Sequence, residues 1–103
     1  MAVVSMSVWR PVRGRTAEFA AQVGQAKAIH ERLGASAGIW QPVAGGQAGT
    51  FTYTLMFDDM AAYGNFAKAS AEDPEWMSFW MGIQGDPTAE AVETILASEV
   101  PLG

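Results

Sequence analysis

The stretch from Asp73 to Ile83 carries two of the chain's four tryptophans, and it constrains the fold more than any other segment. Asp73 can cap a helix and Pro74 suits its first turn, where the missing N–H would have no partner anyway. Trp76, Phe79, Trp80 and Ile83 then recur at i, i+3, i+4 and i+7, which sets four large side chains on one helical face. Such a face has to be covered. Two strand-like segments, 2–9 and 50–57, supply a sheet, so the helix reads as a lid on that sheet.

The rest of the chain supplies a partner set for this pair. Residues 2–9 alternate Val4, Met6 and Val8 with Val3, Ser5, Ser7 and Trp9, the period-2 pattern of a strand with one partly polar face. Arg10 to Arg15 breaks that strand with Pro11 and Gly14; it reads as a charged loop or as an anion-gripping one. Residues 16–33 form the clearest helix, with Phe19, Val23, Ala26, Ile29 and Leu33 on one side and Gly34 as its terminal cap. Gly24 within it is either a packing glycine or a point of close approach. A second strand spans 35–43, with Pro42 confining its end to an edge or bulge, and the glycine-rich 44–49 reads as a hairpin connection.

Residues 50–57 make the strongest strand, alternating Phe51, Tyr53, Leu55 and Phe57 with Thr52, Thr54 and Met56. Asp58 and Asp59 then offer caps for a helix through about Ser70, with Tyr63 and Phe66 inward. After the tryptophan-rich helix and the turn 84–87, a last strand spans 91–100. The order strand, helix, strand, strand, helix, strand predicts a single α+β domain over 1–103. It is ferredoxin-like βαββαβ, a four-stranded antiparallel sheet with its helices on one face. The other sheet face is then bare. With half of the residues hydrophobic and only 17% charged, the chain is expected to pair its bare face with that of a second copy, as a homodimer.

These features together resemble the dimeric α+β barrel superfamily, which holds NIPSNAP-like proteins, antibiotic-biosynthesis monooxygenases and haem-degrading relatives. The resemblance spans the whole chain. It rests on the element order, on Phe51-Thr52-Tyr53-Thr54-Leu55-Met56-Phe57 followed by a helix, and on Asp73-Pro74-Glu75-Trp76-Met77-Ser78-Phe79-Trp80. It implies a small-ligand cavity between sheet and helices and, in some members, oxidation of aromatic substrates without a cofactor. Haem-degrading members use a histidine of the second helix as iron ligand; residues 59–70 and 73–83 contain none, so no haem is expected. Trp76, Trp80, Tyr53, Tyr63 and Asn65 match the side-chain types that cofactor-free members place near substrate.

The one histidine, His30, points within the arc of Phe19, Val23, Ala26 and Leu33 and so toward the sheet. A buried imidazole needs a partner, and Ser5, Ser7, Thr52 and Thr54 are the candidates. His30 is either a satisfied core residue or a pocket base. Two functions follow: a cofactor-independent enzyme with His30 catalytic and Tyr53, Tyr63, Trp76 and Trp80 binding a small aromatic or apolar substrate, or a non-catalytic dimeric ligand-binding or assembly module. The net charge of −5 argues against nucleic acid. The absence of cysteine removes thiolate nucleophiles and cysteine-ligated metals, and no metal or cofactor is expected. No apolar run reaches the roughly 20 residues that span a bilayer, so a cytoplasmic protein without membrane contact is expected.

Overall fold

Seven elements follow one another in the computed structural model, which describes residues 1–103. They are β1 (Val3–Pro11), α1 (Thr16–Arg32), β2 (Ser36–Trp40), β3 (Phe51–Phe57), α2 (Met60–Glu72), α3 (Pro74–Gly85) and β4 (Ala89–Ser98). The sheet is antiparallel throughout, in the order β2-β3-β1-β4. With three helices this is the ferredoxin-like α+β arrangement. The aspartates do what their positions predict: Asp59 accepts from the Ala62 N–H at 2.8 Å, and Asp73 from the Trp76 N–H at 2.8 Å.

Several boundaries differ from the sequence expectation, each for a local reason. β1 runs through Arg10 and Pro11 because β4 continues beside it, pairing Arg10 with Glu90 and Pro11 with Ala89. A register shift at Val8/Trp9 absorbs the irregularity. β4 accordingly begins at Ala89. β2 is only five residues long, so Pro42 lies beyond it. α2 continues to Glu72, and Asp73 ends it while starting α3. Gly34 follows α1 at φ +105°, a conformation that L side chains avoid. Gly24 is neither packed nor approached: a Cβ there would meet nothing within 4 Å.

Register fixes which residues face which layer. Val3, Ser5, Ser7 and Trp9 of β1 pair with Phe57, Leu55, Tyr53 and Phe51 of β3. This is the face the helices cover, and Val3, Ala35, Tyr53, Leu55, Phe57 and Phe66 form its core. The opposite face carries Val4, Met6 and Val8 against Met56, Thr54 and Thr52. No element of the chain covers it. Met56, Ile95 and Trp40 stay exposed there, although the Trp40 indole N–H reaches across to the Thr54 hydroxyl at 2.8 Å. No helix is long and apolar enough to cross a membrane.

Candidate functional site

The helix-covered face of β1 is its more polar one, and that explains why the core is not filled there. Small serines at 5 and 7 leave space above the sheet where larger side chains would have met α1 and α3. A cavity of about 370 Å³ results. Its floor is Ser5, Ser7 and Thr94, the last two directly paired. α1 contributes Phe19, Gln22, Val23, Ala26 and His30, all on one helical stripe, and α3 contributes Trp76, Phe79, Trp80 and Ile83. No helix packs closely over β4, so Thr94 and Leu96 remain exposed and the cavity opens toward that edge.

His30 lines the cavity and is only 6% exposed. Its Nδ1 is 2.7 Å from the Tyr53 hydroxyl, so Tyr53 takes the place of the serine and threonine partners expected from sequence. Thr52 and Thr54 alternate to the opposite sheet face, while Tyr53 shares the inner face with the helix above it. Trp76 covers the imidazole with ring centroids 4.3 Å apart, and Phe66 meets it edge-on at 5.5 Å. Burial with no compensating charge pushes the His30 pKa down to about 4, so the ring is neutral at ordinary pH. The same burial, with the Glu31 carboxylate as a second cause, raises Tyr53. The imidazole makes no other hydrogen bond, and no fully buried side-chain polar atom lacks a partner, so Nε2 is left to the cavity.

Three of the four residues named with His30 meet in this cavity: Tyr53, Trp76 and Trp80. Trp76 and Trp80 stack at 5.8 Å and 21°. Both are half-buried wall residues, and no residue of α3 is fully buried. Tyr63 lies elsewhere, edge-on to Phe57 at 5.4 Å, packing against the core outside the cavity lining. Asn65 is an exposed residue of α2. Sequence reading missed a second polar pair, Thr88 and Gln22, whose side chains meet at 2.6 Å. Thr88 is 1% exposed, and its place in a turn-like stretch hid it; the signal was Gln22, a polar residue on the same stripe as Phe19, Ala26 and His30.

The lining contains no Asp, Glu, Lys or Arg. Charges sit instead at the two ends of α3. Arg32 bridges Asp73 at 2.8 Å and Glu75 at 2.9 Å, and Arg15 bridges Asp86 at 2.7 Å and reaches the Pro87 carbonyl at 3.2 Å. Arg15 and Arg32 hold the Asp86 and Asp73 carboxyls below the usual carboxylate range. No group of His, Asp or Glu side chains is arranged to hold a metal ion.

Solved structures of the same shape cover nearly the whole chain. A NIPSNAP family protein from Agrobacterium tumefaciens superimposes with a TM-score of 0.75 at 17% identity, over 99% of this chain and 89% of that one. An uncharacterized NIPSNAP domain protein from Burkholderia xenovorans gives 0.71 at 18% identity, over 98% and 97%. SnoaB, a cofactor-independent oxygenase from Streptomyces nogalater, gives 0.70 at 13% identity, over 97% and 94%. No curated protein matches the chain. The model of the NIPSNAP family matches residues 4–100, nearly the full length, and the chain belongs to that family.

Proposed function

We propose that the cavity binds a small aromatic or otherwise apolar molecule and that the protein acts on it without a cofactor, as an oxygenase of the SnoaB type does. The observation that carries this reading is a neutral, buried His30 whose Nε2 faces an uncharged cavity walled by Trp76, Phe79 and Trp80. Cofactor-free oxygenation needs a substrate that yields electrons to dioxygen itself, as an enolate or phenolate does. A hydrogen bond from an imidazole to the substrate oxygen stabilises that anion in a dry site. For a methylene beside the anion the balance is complete: CH2 and O2 give C=O and H2O. With its pKa near 4, His30 is a weak base and a better hydrogen-bonding group, so it orients and polarises.

The exposed, largely apolar sheet face of Val4, Met6, Val8, Met56 and Ile95 supports a homodimer built on that surface. Binding without turnover is the second reading, favoured by the same weak basicity of His30.

Isothermal titration with naphthalene, followed by oxygen-electrode assays on hydroxylated naphthalenes, tests the proposal. Saturable binding weakened by Trp80→Ala, with oxygen uptake that depends on His30, supports the oxygenase. Binding without oxygen uptake supports the module, and absence of binding removes both.

A further inference from the structure

The polar groups of the cavity share a pattern that narrows the class of molecule it takes. Each of three has its acceptor function occupied by a neighbour. Tyr53 is buried and its hydroxyl has no other partner, so the arrangement that satisfies both groups has the phenol donating to His30 Nδ1, which leaves an N–H at Nε2. The Thr88 hydroxyl donates to Gln22 Oε1 at 2.6 Å, and the Gln22 amide N–H2 makes no bond within the protein. The Trp9 indole N–H donates to Ser7 Oγ at 2.9 Å, and the Ser7 proton has no acceptor. Ser70 is the one reversed case, its hydroxyl donating to the Ala67 carbonyl at 3.1 Å, while Ser5 and Thr94 turn either way and set no preference.

From this hydrogen-bond arithmetic we infer that the cavity is an uncharged site in which free donors outnumber free acceptors, and that it selects neutral planar molecules carrying acceptor oxygens, such as diketones, over amines and carboxylates on the same ring skeleton. An amine would meet three donors and one accessible committed acceptor, Ser70 Oγ, since the Tyr53 and Thr88 oxygens are only 8% and 1% exposed. A carboxylate would lose its hydration without meeting a cation, an uncompensated burial. Gln22 and His30 are eight residues apart on α1, a rise of about 12 Å, so their two donors suit a ligand with oxygens at opposite ends. This rests on the proposal that the cavity binds small aromatic molecules.

Titration calorimetry with naphthalene, para-naphthoquinone, naphthylamine and naphthoate tests it, and the chain has no cysteine for the quinone to alkylate. The quinone is expected to bind at least tenfold more tightly than naphthalene, with naphthylamine no better than naphthalene and naphthoate weaker. Gln22→Met should cost the quinone several-fold more than it costs naphthalene, and the naphthalene binding that remains shows that the variant is folded. Tyr53→Phe should release the imidazole tautomer, seen in its nitrogen chemical shifts, and narrow the gap between quinone and naphthylamine. Equal binding of all four, or a preference for the amine, overturns the donor assignment and leaves the binding cavity intact. If naphthalene fails to bind along with the rest, both fall together.

Discussion

α1 and α3 both lie over the sheet, yet they are used in opposite ways. α1 is the more polar helix and buries Phe19, Ile29 and His30 to 7% exposure or less. α3 is the most apolar helix and buries nothing completely, even with Trp76, Phe79, Trp80 and Ile83 on its inner face. The difference comes from what lies beneath. α1 packs against β2 and, through Val23, Ala26 and Leu33, against the core while one stripe of it walls the cavity, whereas α3 packs closely on no strand and meets the sheet only across the space above Ser5 and Ser7. Apolar content alone therefore does not place a helix in the core; the size of the side chains opposite decides whether its aromatics pack or line a cavity.

The largest effect that could break this contrast is a truncation in each region. Ile29→Ala removes a buried side chain of α1 that lies outside the cavity lining and should cost about 2–5 kcal/mol. Trp80→Ala should cost under about 2 kcal/mol, because one side of the ring already borders a void, while weakening naphthalene at least tenfold. Urea denaturation and calorimetry measure the two; similar stability losses would show that α3 is packed as core.

A pH series sharpens the same contrast. His30 is held near pKa 4 in the fold against about 6.5 in an unfolded chain. Between those values the unfolded state binds a proton that the folded state refuses, so stability is lost as pH falls from about 6.5 to about 4. The loss should be on the order of 2 kcal/mol, and His30→Gln should flatten that part of the profile in thermal melts.

Smaller still are the arginine clamps at the ends of α3. Each exposed pair is worth at most about 1 kcal/mol. Arg15→Ala combined with Arg32→Ala should speed amide exchange across α3 and leave β1 and β3 unchanged; protection undiminished in α3 would mean that its aromatic face alone holds it down. The smallest effect belongs to Gly24→Ala, which fills open space on a helix and should add up to about 1 kcal/mol by chemical denaturation.

Much of this was legible in the sequence because it depends on local pattern. The alternation from Phe51 to Phe57 set the inner and outer faces of β3, the spacing of α3 set its aromatic face, and the helical arc of His30 aimed it at the sheet. The parts that were not legible depend on contacts distant in sequence. Alternation divides β1 into two faces without saying that the one with serines lies under the helices and the more apolar one is bare. His30 met Tyr53 because the two share one layer, a pairing 23 positions apart. Tyr63 matched the side-chain type of a site residue, but its place on α2 turned it to Phe57. Thr88 meets Gln22 across 66 positions, and no local pattern marks such a pair.

Nitrogen NMR of the imidazole tests the central claim most directly, since the chain has a single histidine and its signals need no assignment. At pH 6 the account predicts a neutral ring with the proton on Nε2 and Nδ1 accepting from Tyr53, and a shift at Nε2 when naphthoquinone is added. A ring that is protonated at pH 6, or one whose Nε2 ignores every aromatic ligand that binds, would contradict it.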